Sequence, residues 1–259
     1  MGADPQPAPA GEPEDDDSPF LDRDSLSTAD ALALLATAEI DVRGRMPYSS
    51  NSTFLVDLVV DAVAVAQAIY KPHRGERPLW DFPDGLYRRE VAAFDLCDHL
   101  GWGNVPPTIE RDGPLDVGSL QLFMPSEFEH HYFTLQDEPE HRLAFQQICA
   151  FDIVANNTDR KSGHCLLGTD GRIWAIDNGL AFHQEFKLRT VIWEFAATPV
   201  PDDLLDDMKR LLDEGVPDVI AAVLSPFEVD AILARTRALV TNREYPTDPT
   251  GRRYPWPLV

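Results

Sequence analysis

Asn156-Asn157-Thr158-Asp159-Arg160-Lys161-Ser162-Gly163-His164 is a polar, charged loop that breaks out of an apolar run, and Ile176-Asp177-Asn178-Gly179 follows it after about one hairpin's length of chain. Each stretch alone has a bland reading. Asn and basic residues are favoured where a helix exposes its last carbonyls, and Asp-Asn-Gly is an ordinary turn signal. Their order carries the information. A loop bearing an aspartate, two strands and a turn bearing a second carboxylate make the layout in which phosphoryl transfer sets a proton acceptor opposite a metal ligand. Asp159 suits the first role, with Lys161 or Arg160 as a neighbouring cation. Asp177, at a strand end, suits Mg2+ or Mn2+, with His164 or Asn157 assisting.

Working outward, Cys165 to Leu167 and Ile173 to Ile176 are the strands around the turn Thr169-Asp170-Gly171, and Glu140 to Asn156 is the apolar helix that delivers the loop. Upstream, Ser52 to Tyr70 has a period of two and an Asp61-Ala62 turn, which predicts a β-hairpin. That hairpin ends in Ile69-Tyr70-Lys71-Pro72. A lysine at the end of an apolar strand can reach phosphates, and Glu90, on a helix expected from Arg88 to Leu100, supplies a carboxylate to hold it. Residues 72 to 86 are expected to form a loop, in which Trp80 reads as an apolar anchor near the cleft. Gly118 to Met124 is a short strand. Ser27 or Thr28 caps a helix expected through Ile40. Three helices are expected at about 202–214, 216–224 and 226–242.

Composition sets the outer limits. With 259 residues the chain has room for two packed lobes. No run approaches the roughly 18 apolar residues of a membrane span, and Asp57 and Asp61 interrupt the most apolar stretch. Residues 1–24, rich in Pro and acid, read as a disordered tail without the character of a secretory signal. Cys97, Cys149 and Cys165 are too scattered for a disulfide framework, which together with the missing signal predicts a cytoplasmic protein. The formal charge of −22 opposes nucleic acid and anionic membrane surfaces as partners. His73, His99, His130, His131, His141 and His183 lack the paired spacing of metal ligands and read as surface or packing residues.

On these motifs the sequence resembles the phosphatidylinositol 3- and 4-kinase-like branch of the protein-kinase-like superfamily, and more closely an actinobacterial kinase-like family. The likeness runs from about Asn51 to Phe182. Asp159-Arg160-Lys161 resembles the branch's Asp-Arg-His catalytic loop, and Asp177-Asn178-Gly179 its Asp-Phe-Gly metal turn. Lys71 and Glu90 resemble its phosphate-binding lysine and the partner glutamate. The resemblance implies that Gln121 to Pro125, with Gln121, Phe123 and Met124 as contacts, is an adenine-binding hinge. Two positions depart from the pattern: His164 stands where a metal-binding asparagine is usual, and Ser49 to Thr53, including Ser50, Asn51 and Ser52, replaces a Gly-rich phosphate loop.

The expectation is therefore an α+β, two-lobed, protein-kinase-like fold, with residues 25–125 as a strand-rich nucleotide-binding lobe and 126–259 as a helical catalytic lobe. The expected activity is ATP-dependent phosphotransfer, with autophosphorylation included, to a protein or a soluble small molecule. An ATP-binding pseudokinase and a phosphoinositide kinase stay open as alternatives.

Overall fold

A computed structural model describes residues 20–21, 25–47 and 51–259. Seven helices and eight strands lie among these residues. The first helix, α1 (Thr28–Thr37), is capped by the Ser27 hydroxyl, which accepts from the Asp30 amide. It stops at Thr37, three residues short of the expected Ile40, because Glu39–Arg45 forms strand β1. This strand pairs antiparallel with β2 (Phe54–Val60), and β2 with β3 (Val63–Pro72). The Asp61-Ala62 turn has both φ values positive, 50° and 63°, the geometry whose twist matches a two-residue hairpin. With β4 (Thr108–Asp112) and β5 (Val117–Leu122) the sheet order is β1-β2-β3-β5-β4.

Strand alternation decides which side chains see the cleft. In β3, Ala66, Ala68 and Tyr70 pack with Val56, Leu58, Leu120 and Leu122 against Ala31 and Leu35 of α1. The opposite parity, Ile69 and Lys71, lines cleft cavities. Lys71 pairs with Ser119 inside the sheet, so the strand runs beyond the expected end at Tyr70.

Helix α2 (Leu86–Leu100) begins two residues before the expected Arg88. Its first amides would be orphaned, but the Glu76 carboxylate accepts from the N–H groups of Gly85, Leu86 and Tyr87 at 3.2, 2.9 and 2.6 Å. Gly101, in the left-handed region at φ 76°, closes the other end. Ala92, Leu96 and Leu100 join the larger hydrophobic core, which also takes Ile148, Phe151 and Val154. Those three lie on α4 (Arg142–Ala155), and a short helix α3 (Tyr132–Leu135) precedes it.

Strands β6 (Ser126–His131), β7 (Cys165–Gly168) and β8 (Ile173–Ala175) form a second antiparallel sheet. The remaining helices are α5 (Asp202–Glu214), α6 (Asp218–Ala221) and α7 (Pro226–Asn242). Leu204, Met208, Ile232 and Leu239 from α5 and α7 complete the larger core. Ser225 and Glu228 form a reciprocal capping box at the start of α7. No described helix is long and apolar enough to cross a membrane.

Most of the expected tail lies outside the described residues, but Phe20 and Leu21 do not behave as tail. Phe20 stacks on Phe123 at 4.8 Å, and the Leu21 amide donates to Gln67 Oε1 at 2.9 Å. Trp80 also departs from expectation. It is 95% exposed and does not anchor its loop by burial. All three cysteines are free and buried.

Candidate active site

Glu90 is the hub of the cleft. It is 3% exposed, and its Oε1 takes the Lys71 ammonium while its Oε2 accepts the Asn178 amide at 2.8 Å. One carboxylate thus ties the sheet lysine to the turn that carries Asp177. Lys71 Nζ also donates to Asp177 Oδ1 at 2.7 Å. Burial works against the Lys71 charge, but Asp177 and Glu90 outweigh it and raise its pKa. Lys71 first, then His164 and Lys161, hold Asp177 well below the usual carboxylate range against the effect of burial. Asp177 itself has φ 57°, a left-handed conformation that Asp tolerates better than most residues.

Asp159 faces the same cavity, of about 370 Å³, as Lys71, Glu90, Lys161, His164 and Asp177. Burial raises its pKa, and Lys161, 3.2 Å away, works in the other direction. Burial also pushes His164 down to about 4 although Asp177 opposes this, so its imidazole is neutral near pH 7. Its Nε2 lies 3.5 Å from Asp177 Oδ2, and its Nδ1 accepts a long 3.4 Å contact from the Lys161 amide. In that tautomer Nε2 carries the proton, and His164 orients Asp177.

Two expected site residues serve the scaffold instead. Arg160 is fully buried, and its guanidinium is bonded to Asp152 at 2.9–3.1 Å, to the Ile176 carbonyl at 2.7 Å and to Asn178 Oδ1 at 2.6 Å. A cation so enclosed cannot touch a phosphoryl group. It joins the loop bearing Asp159 to the turn bearing Asp177. Asn157, expected beside the metal, is buried too; its Oδ1 accepts the Asp159 amide at 2.9 Å and its Nδ2 approaches Asn178 at 3.5 Å. It shapes the loop without reaching the cavity. Asn156 ends α4 in the left-handed region and holds the carbonyls of His183 and Glu185 and the amide of Lys187.

The residues expected to contact a nucleotide fall into three groups. Ser50, like Ser49, lies outside the described residues. Asn51 and Ser52 line the Lys71 cavity, where the Asn51 side-chain Oδ1 accepts the Arg77 amide at 3.0 Å and the Ser52 amide donates to the Gly75 carbonyl at 3.1 Å. Gln121, Phe123 and Met124 line a neighbouring cavity of about 240 Å³ with Ile69, Leu166 and Ile176. The Gln121 side chain itself donates to Thr108 Oγ1 at 2.9 Å, and the Phe123 amide to the Gln67 carbonyl at 2.9 Å.

A divalent cation fits this site only with help. Asp177 offers a hard anionic oxygen, and Asp159 a second across the cavity, the ligand set of an ion that also takes phosphate oxygens and water. Among the described residues, the groups whose donor atoms all come within 4.8 Å of one another lie elsewhere: His73 with Glu76 and Asp84, and Glu138 with Glu140 and His141. In the first of these Glu76 is already occupied as the α2 cap.

The missed residues left little local trace. Glu76 and Asp152 find their partners 8 to 11 residues away, outside any helical or strand period; Asn178 lies inside the Asp-Asn-Gly turn but its partner Glu90 is distant in sequence, and Asn156 carried a signal as a helix-ending Asn.

The five-stranded sheet, the lysine–glutamate pair, the helix-borne loop and the helical remainder define a two-lobed, protein-kinase-like fold. No described protein-family profile matches the chain. Its sequence is 36% identical over 265 residues to Protein Rv2133c of Mycobacterium tuberculosis, over 88% of this chain and 95% of that one, and it belongs to that protein's family. It is also 32% identical over 124 residues to phosphatidylinositol 4-kinase gamma 4 of Oryza sativa subsp. japonica, covering 40% of this chain and 22% of that protein. Among solved structures it resembles a Golgi casein kinase with Mn and ADP bound, with a TM-score of 0.58, 15% identity, and coverage of 90% and 80%. It also resembles hydra Fam20 with sugar, with a TM-score of 0.53, 14% identity, and coverage of 82% and 87%. At these identities the likeness concerns the fold.

Proposed function

We propose that the chain is an ATP-dependent phosphotransferase, an atypical kinase whose acceptor is a soluble small molecule or a protein. The observation that carries this reading is Lys71 held between Glu90 and Asp177, with Asp159 on the same cavity. The cavity lined by Gln121, Phe123 and Met124 and the one around Lys71 share Thr53, Lys71, His164 and Asp177, which suits a base in the first and phosphates in the second.

Lys71 binds nucleotide phosphates, and Glu90 keeps its ammonium aimed at them. Asp177, kept ionised by Lys71, would hold Mg2+ or Mn2+, and such an ion would supply positive charge to neutralise the phosphates. Asp159 orients the acceptor hydroxyl and receives its proton as the oxygen bonds to the γ-phosphorus, the bond to the bridging oxygen breaks and ADP leaves. Lys161 stabilises charge on the phosphoryl group in transit. The partial match to a phosphatidylinositol 4-kinase supports a kinase-like phosphotransferase, while the charge of −22 argues against a lipid surface as the working place.

Incubation with γ-labelled ATP and Mg2+ or Mn2+, followed by ADP quantitation and intact mass, tests the reading. Wild type is expected to turn over ATP. Asp159→Asn and Asp177→Asn should each lose at least ~100-fold, the scale of a general base or a charge clamp. Turnover that survives both substitutions would falsify the assignment, and nucleotide binding without any turnover would make the protein a pseudokinase.

A further inference from the structure

Beyond Asp159 the cleft opens into a cavity of about 680 Å³, well within the range of small-molecule sites. It adjoins the Lys71 cavity, with which it shares Leu79, Asp159 and Leu180.

The charge of this cavity runs against that of the chain. In a protein of net charge −22 its lining contains Lys187, Arg189, Arg252 and Arg253, against Asp81 and Asp159. Some of these are already matched. Lys187 lies 3.0 Å from Asp81, Asp159 pairs with Lys161, and Arg253 sits 3.8 Å from Asp248 and over the Phe186 ring. Among the described residues no carboxylate pairs with Arg189 or Arg252, and both are exposed. Arg189 is close enough to Asp159 to act on its ionisation. The two arginines come from segments far apart in sequence and line one cavity. Guanidinium forks suit a phosphate or carboxylate, which they grip through paired N–H groups. On the same lining, Trp80 offers a flat apolar face that is 95% exposed, with the Lys187 ammonium 5.6 Å from its ring centroid. An indole face suits the C–H face of a sugar or polyol.

We propose that this cavity is the acceptor subsite, that it takes a small polyol carrying a phosphomonoester, and that Arg189 and Arg252 select it by its anion. The proposal rests on the phosphotransfer reading. It adds the class of acceptor and two residues that determine specificity.

Titration calorimetry on the full chain, saturated with ADP and Mn2+, tests it with matched probes: glucose 6-phosphate against glucose, glycerol 3-phosphate against glycerol, and a serine peptide rich in glutamate. The phosphorylated polyols are expected to bind at least tenfold more tightly than their neutral partners, with inorganic phosphate competing. Arg189→Gln/Arg252→Gln should erase that preference, and Arg189→Lys/Arg252→Lys should restore part of it. Vesicles of phosphatidic acid show whether the phosphate comes from a lipid: their binding would keep the anion site and change its source. Equal binding of neutral and phosphorylated probes, a preference that survives in the Gln variant, or Arg-dependent binding of the peptide alone would each overturn the proposal. Failure to bind ADP and Mn2+ would instead overturn the phosphotransfer reading.

Discussion

At the scale of single residues, burial divides the catalytic loop into working and holding parts. Asp159 and Lys161 reach the cavity, whereas Arg160 between them is wholly enclosed with Asp152. Burial opposes the Arg160 charge, and the close contact with Asp152 holds it protonated. Removing one partner of such a pair strands the other charge, at a cost of about 3–5 kcal/mol, while replacing both with apolar residues costs far less. Arg160→Met is therefore expected to lose several kcal/mol in urea denaturation, and Asp152→Leu/Arg160→Met to recover much of it. Equal losses in the single and double variants would show that the pair does not act as a unit. The sequence offered Lys161 and Arg160 alike as the cation beside Asp159 and could not tell which faces the cleft, because that depends on Asp152 arriving from α4 and Asn178 from the turn after β8.

At the scale of elements, α2 is the piece that the larger core and the cleft both depend on. Glu90 reaches the cleft, and Arg89 binds the Ala181 carbonyl and Glu228, so the cap of α7 is clamped to α2. One residue on this helix opposes folding. Burial first, and Asp98 second, raise Asp95 to about 6. A carboxyl whose folded pKa lies above its unfolded value binds its proton more tightly in the fold, so its charge destabilises above about pH 6 and the penalty vanishes below about pH 4. Asp95→Asn is expected to stabilise by about 1 kcal/mol at pH 7, discounted for partial exposure, and to be neutral near pH 3.5. Thermal melts at the two pH values check this; a gain that does not depend on pH would contradict it. The β2-β3 hairpin was legible because its period and turn are local. Strands β1, β4 and β6 were not, since β6 is a mostly exposed Ser-Glu-Phe-Glu-His-His held by pairing with β7, and strand character of that kind comes from an available edge.

At the scale of the whole molecule, the cleft joins the sheet and the helical core through few polar links, with Lys71–Glu90 and Lys71–Asp177 bridging them. A nucleotide filling that gap binds the folded state alone and must stabilise it by mass action. ADP with Mn2+ at about 100 times its dissociation constant adds about 2.7 kcal/mol, or roughly 5–10 °C in Tm for a domain of this size. EDTA should remove most of the shift, and Lys71→Met nearly all of it. A shift that persists in Lys71→Met would place the nucleotide elsewhere. The docking of Phe20 on Phe123 beside the hinge cavity belongs to this scale too, since composition read that stretch as tail.

The sequence by itself determined the order of the chemistry: a strand lysine, a helix glutamate, a loop aspartate and a turn aspartate, each marked by a local change of period or polarity. Those signals survive in one dimension because each depends on neighbours a few residues away. Tertiary structure alone decided that Arg160 and Asn157 hold the loop, that Glu76 caps α2, and that Arg189 and Arg252 line one cavity of about 680 Å³. Burial and the partners available to a charge are set by segments distant in the chain, and they decide whether a polar residue becomes a ligand or a strut.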